Sequence, residues 1–336
     1  MEDGYYLISK RCILRFKTPL GSDPGIIDFN RLASSIIMCP SLVSAIDWRE
    51  YDGLLTCNLL LHDHGYTHLP LSAGSELSFK VEPGRRCVGY HKLDENGGRK
   101  LTPCPTSSLS HGYSQCPSCQ ARDTATPCLR CRGETCTALG SVRDACTSSK
   151  SFVYLAAFGT SLKVGVTRED RFITRWVEQG ADAAMRILTG NGSEVRRFEH
   201  KISTQFGVPE SIRGDAKVSA LGGIGKNKQA LALLEATRLK VHATANEDQR
   251  ITENPLILAH YYNIPSIKLR PIRLKVEDNI TVAGEIVGVK GPTLLLRSGS
   301  VYYVLGLSTL LGRVVDFTPG GVMSQSGLEP FLSRSI

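Results

Sequence analysis

The sequence predicts an α+β, multidomain protein, and three observations predict it. Short apolar runs broken by Gly, Pro and Asp turns fill both ends of the chain. A middle stretch alternates strand-like and helix-like periodicity, and a block of closely spaced cysteines separates it from the first β-rich part. The 336 residues are enough for two or three domains of ordinary size. Apolar residues make up 41% and charged residues 21%, which is ordinary soluble usage and excludes a fibrous or disordered chain.

The first part, residues 1–85, carries β-type runs at Arg11 to Phe16, Leu54 to Leu61 and Glu76 to Val81. Its opening, MEDGYYLISKRCILRF, is acidic first and interrupts its apolar residues with Lys10 and Arg11, unlike a signal peptide. No stretch is apolar for long enough to span a bilayer, so a cytoplasmic protein without a membrane partner is expected. His62, His64 and His68 in HDHGYTH have no acidic partner at metallohydrolase spacing and are expected to be solvated loop residues.

Residues 86–147 hold Cys87, Cys104, Cys116, Cys119, Cys128, Cys131, Cys136 and Cys146, eight of the eleven cysteines in the chain. Where no export signal is present, the paired C-x-x-C elements Cys116-Pro-Ser-Cys119 and Cys128-Leu-Arg-Cys131 point to a tetrahedral metal rather than disulfides. Zinc suits four thiolates at about 2.3 Å and brings no redox chemistry. Eight ligands make two structural zinc sites, a knuckle or ribbon in each case. Chain order permits Cys87, Cys104, Cys116 and Cys119 around one ion and Cys128, Cys131, Cys136 and Cys146 around the other. Equally, the two C-x-x-C pairs form one ribbon and the remaining four cysteines, with His111, form the second. The intervening Gly, Pro, Ser, Thr and Arg cannot build a core, so metal must hold this region folded.

Residues 148–250 open with a hairpin pattern, Phe152 to Ala157 and Leu162 to Val166 about a turn at Gly159 and Thr160. Asp170 is placed to cap a helix whose apolar side is Phe172, Ile173, Trp176 and Val177, with Arg175 flanking it and Gly180 ending it. Trp176 reads as core. A strand at Ala184 to Leu188 leads to a helix starting near Ser193, with a stripe of Val195, Phe198, Ile202 and Phe206. Glu199 lies about 40° from Val195 on that helix, so a carboxylate points along the apolar face or escapes at its edge. ALGGIGKNK, from Ala220 to Lys228, lacks the first glycine and the final Ser or Thr of a phosphate loop.

Residues 255–336 return to β patterning, with TVAGEIVGV, TLLLR and VYYVLGL separated by Lys290-Gly291-Pro292 and Ser298-Gly299-Ser300. The basic residues Lys268, Arg270, Arg273 and Lys275 alternate with apolar ones, as on a strand with one cationic face. The formal charge of +8 favours polyanionic partners.

The order of strand with Tyr154, turn, strand ending Lys163-Val164-Gly165, helix with Arg175-Trp176 and later helix with Glu199 resembles the GIY-YIG endonuclease domain. VYLA, KVGVTR and RWVEQGA, with the upstream cysteines, more closely resemble the domain of unknown function 2797 family, which carries a divergent GIY-YIG-like core. The resemblance runs from about Cys87 onward and implies an α/β sandwich core at 148–250 flanked by small β modules. It implies Arg175 on the scissile phosphate, Glu199 on a divalent ion (Mg2+ or Mn2+) in any active form, and Tyr154 orienting the attacking water. Gly165, Thr167 and Arg168 are implied as phosphate contacts. Phe152 replaces the first glycine, Lys163 the second tyrosine, and Gln179 stands where active nucleases often place His or Tyr, so Lys163 is expected to bind phosphate. The departures favour a nucleic-acid-binding protein, RNA or DNA, over a working phosphodiesterase. A zinc-stabilised protein-interaction adaptor is the third reading.

Overall fold

The computed structural model describes residues 39–51, 53–93, 98–110, 112–138, 140–212, 227–262, 264, 271–317 and 321–323, with the strand backbones at 4–9 and 12–16. His111, Ala220 to Lys226, Lys268 and Arg270 lie outside the described residues. Among the described residues, no helix is long and apolar enough to cross a membrane.

A hairpin of β1 (Gly4–Ser9) and β2 (Cys12–Phe16) opens the chain. Next come β3 (Ser41–Tyr51), β4 (Leu54–His62), β5 (Tyr66–Pro70) and β6 (Glu76–Val81). The cysteine region contributes a two-stranded ribbon, β7 (Tyr90–Leu93) and β8 (Arg99–Thr102), and three short helices. These are α1 (Pro117–Arg122), α2 (Thr126–Arg130) and α3 (Gly140–Ser148). The central part runs β9 (Lys150–Phe158), β10 (Ser161–Arg168), α4 (Phe172–Gln179), β11 (Ala183–Asn191), α5 (Gly192–Phe206) and α6 (Asn227–His242). The final part holds β12 (Leu256–Ile257), α7 (Ala259–Tyr262), β13 (Ile272–Leu274), β14 (Thr281–Lys290), β15 (Thr293–Ser298), β16 (Val301–Gly306) and β17 (Val314–Phe317).

The two β-rich ends, which the sequence sets apart as separate modules, share one nine-stranded sheet ordered β13-β16-β15-β14-β6-β17-β3-β4-β5. β6 is the joint, pairing antiparallel with both β14 and β17. The central sheet, ordered β10-β9-β11-β12, is antiparallel throughout.

β9 is buried on both faces, which explains its unbroken apolar run. Period-two alternation sends Tyr154, Ala156 and Phe158 to a core shared with α4 and the nine-stranded sheet. Val153, Leu155 and Ala157 face the other way, against Val195 and Ile202 of α5 and Ala230 and Leu234 of α6. Trp176 is core as expected, at 2% exposure. Gly180 ends α4 in the left-handed region with φ 76°.

α5 begins at Gly192, near Ser193 as expected, with Asn191 as its N-cap completing a capping box with Glu194. Two local expectations differ. Asp170 caps nothing: its carboxylate takes both arms of Arg168, at 3.1 and 2.9 Å, and a short 3-10 turn at Glu169–Arg171 leads into α4. His68 lies on β5 rather than in a loop, 3.3 Å from an Asp47 carboxylate oxygen, while His62 stacks on Tyr66 at 4.9 Å.

Candidate functional site

The four sulfurs of Cys87, Cys104, Cys116 and Cys119 lie within 4.8 Å of one another, the spacing of ligands around a single ion. Cys116 is the N-cap just before α1, and Pro117 fixes the first turn so that Cys119 comes round beside it. The N–H groups of Gly89 and Cys116 donate to the Cys87 sulfur at 3.4 and 3.1 Å. Gly89 can do so because its φ is +95°, and a Cβ there would stand 2.0 Å from the Thr102 carbonyl oxygen. Burial pushes the Cys87 and Cys119 thiols up. Burial also opposes ionisation of Cys104, but hydrogen bonds from Thr106, Ser108 and Cys119 outweigh it and bring that thiol down to about 6. Donor chemistry, spacing and N–H···S support all fit zinc.

Around the sulfurs, Asp123 accepts from the N–H groups of His91 and Ala125, each at 3.0 Å, and from the Gln115 amide at 2.7 Å. Burial would raise the Asp123 carboxyl, but these bonds outweigh it and hold the group below its ordinary range. Asp123 thus ties β7 to the end of α1. Sequence reasoning missed this brace, although an Asp three residues before a helical Thr-Pro is a recognisable turn signal.

A cleft of about 1100 Å³ lies between the cysteine region, the β9–β10 hairpin, α4 and α5, and none of the four cysteines of this centre lines it. Tyr154, Lys163, Gly165, Thr167, Arg168, Arg175 and Glu199, which the sequence singles out, all line it, as do Cys128, Cys131 and Cys146. Tyr154 is 1% exposed, and Gln179 donates to its hydroxyl oxygen at 2.7 Å. Burial raises its phenol further than Arg175 and Gln179 lower it, so it is neutral at physiological pH. Gly165, the cross-strand partner of Tyr154, lines the cleft and also sits directly against the phenol. A Cβ there would meet the Tyr154 ring and hydroxyl at 2.4 Å, so the glycine makes room for the phenol.

Guanidiniums that sequence reasoning did not single out complete the cleft: Arg99 of β8, Arg171 before α4 and Arg196 of α5. Burial, then the charges of Arg171 and Arg175, lower the proton affinity of Arg99, with Arg196 adding to the repulsion. Glu178 serves two of these cations, at 2.8 Å from Arg171 and 3.6 Å from Arg175. The crowding is a tertiary property and has no local signature.

Burial raises the Glu199 carboxyl, Arg196 opposes this, Glu210 reinforces it, and Lys163 and Arg175 oppose it more weakly. A carboxyl raised in the folded state contributes stability that is complete below its unfolded value, about 4.3, and is lost as pH rises through its folded value. Glu199→Gln is therefore expected to leave the melting temperature unchanged near pH 4 and raise it near pH 8. Thermal melts of both proteins across that range check this; a larger gain at the acid end goes against it.

Of the other four cysteines of this region, Cys128, Cys131 and Cys146 line the cleft and Cys136 does not. Cys128 is in α2, Cys131 directly follows it, Cys146 is in α3, and Cys136 is exposed between them. Among the described residues they do not form a second group as close as the first.

Fold and site define a mixed α+β protein with a four-cysteine centre suited to zinc and an arginine-lined cleft. The chain belongs to the DUF2797 family, described as a protein of unknown function, whose model matches residues 74–312. No curated protein and no solved structure matches the chain.

Proposed function

We propose that this is a zinc-containing nucleic-acid-binding protein whose central domain is a divergent GIY-YIG domain holding phosphate backbone in the cleft. The observation that carries the reading is the convergence on one cleft of four arginines from three segments: Arg99 of β8, Arg171 and Arg175 at the start of and within α4, and Arg196 of α5. Like charges held together cost free energy unless a polyanion offsets them, and planar guanidiniums grip phosphate oxygens two at a time. The chain order also agrees with the resemblance, with an arginine on the helix after the hairpin and a glutamate on the helix after the third strand. In this reading two structural zinc ions are bound, one by Cys87, Cys104, Cys116 and Cys119 and the other by Cys128, Cys131, Cys136 and Cys146. Lys163, Thr167 and Arg168 flank the phosphate path, and the thiols are kept reduced in the cytoplasm.

An endonuclease is the second reading, because Tyr154, Arg175 and Glu199 share the cleft. A buried, neutral phenol is a poor base, which favours binding over cleavage. Binding of labelled RNA and DNA strands across a salt series tests the proposal. Arg171→Ala with Arg175→Ala is expected to weaken binding at least tenfold. It should also lower the slope of log affinity on log salt by roughly 1.4–1.8 for two lost phosphate contacts. Salt-independent or absent binding overturns the proposal and leaves the adaptor. Cleavage with Mg2+ or Mn2+ that Glu199→Ala abolishes would establish the nuclease instead.

A further inference from the structure

Ligands and cleft cations alternate along Cys128-Leu129-Arg130-Cys131-Arg132, and all five residues line the cleft. Nothing apolar fixes this segment: α2 has no buried residue, Leu129 is 62% exposed, and both arginines are exposed. The turn at Gly133 repeats a feature of the four-sulfur centre. Its N–H donates to the Cys131 sulfur at 3.3 Å, as that of Gly89 does to Cys87 at 3.4 Å, and both glycines have positive φ, +84° and +95°. Two cysteines thus share the N–H···S arrangement that supports a metal-bound thiolate, one inside a four-sulfur group and one beside the cleft.

The segment is seated on the helix that carries Glu199. A Cβ on Gly133 would stand 2.2 Å from the Ser193 carbonyl oxygen, and one on Gly192 would stand 2.4 Å from the Cys146 sulfur. Arg196 donates to the Cys131 carbonyl at 3.4 Å.

Resting on the phosphate-binding reading above, we infer that a metal held by Cys128, Cys131, Cys136 and Cys146 regulates the cleft, fixing Arg130 and Arg132 on its rim so that metal and polyanion reinforce each other's binding. The coupling is positional. A zinc with four thiolates carries a formal charge of about −2, which alone opposes a polyanion. The gain comes from ordering two long side chains that otherwise lose their conformational freedom when phosphate binds. By linkage, whatever factor the metal adds to polyanion affinity, the polyanion adds to metal affinity.

The test uses the full chain, zinc counting by elemental analysis, staged removal of zinc with a colorimetric chelator, and a labelled single strand of about 20 nucleotides. Wild type is expected to hold two zinc ions per chain, and the strand to slow release of one of them. Cys146→Ser is expected to hold one and to bind the strand at least tenfold more weakly. Arg130→Ala with Arg132→Ala is expected to keep two zinc ions, weaken binding similarly and lose the slowed release, which separates the coupling from misfolding. One zinc in wild type, or undiminished affinity after the second ion is removed, overturns the inference. Loaded wild type that binds no strand overturns the phosphate-binding reading together with it, whereas strong binding indifferent to Cys146→Ser sinks the coupling alone.

Discussion

Cys119→Ser is expected to lower the zinc content by one ion per chain and to unfold the segment from Cys87 to Asp123. Cys119 is completely buried among the other three sulfurs, where a hydroxyl is a far weaker ligand than a thiolate. Binding of a structural zinc contributes about 10–16 kcal/mol to the folding of a small domain, and little else holds this one. The apolar cluster there consists of Tyr90 with the cysteines themselves. Once the ion leaves, the Asp123 brace and the β7–β8 ribbon have no core to rest on. Elemental analysis with limited proteolysis checks this: new cuts should fall between residues 87 and 123 and spare the nine-stranded sheet. Unchanged zinc content and an unchanged digest would show that the four sulfurs are simply packed thiols.

The elements legible in the sequence are those fixed by local pattern. The Glu76–Val81 strand, the hairpin about Gly159, the core position of Trp176 and the Gly180 stop all come from alternation or turn chemistry. Chain order also offers the Cys87, Cys104, Cys116 and Cys119 set, although the ribbon alternative needs coordinates to set it aside. What escapes is non-local. A β run carries no record of its partner, so nothing in ELSFKV announces that it joins strands some 200 residues later. Arg99, Arg171 and Arg196 read singly as solvated charges, and only their convergence on one cleft makes them one field. Gly165 is legible only in part for a related reason: a strand glycine signals a close approach without saying by what, and one neighbour at that approach is the Tyr154 ring.

Lys290→Met is expected to be the most damaging single change outside the cysteines, at about 3–5 kcal/mol. Lys290 ends β14 in the large sheet, is 6% exposed, and forms an ion pair with Asp182 in the link between α4 and β11. Its ammonium also lies 5.8 Å from the centre of the Tyr262 ring, whose hydroxyl donates to the Ala181 carbonyl at 2.7 Å. The second Asp182 oxygen accepts the Gly159 N–H at 2.5 Å, so the pair ties the hairpin turn, the end of α4 and the nine-stranded sheet together. Methionine fills the same space but leaves the Asp182 carboxylate largely buried without its cation, and that uncompensated charge sets the cost. Lys290→Met with Asp182→Asn removes the stranded charge and should recover much of the loss, which denaturant melts of the two singles and the double will read as strong non-additivity. Additive losses would mean that packing rather than charge makes the joint. Because the same joint anchors α4, the lysine variant is also expected to weaken strand binding through Arg175, and the double mutant to restore it.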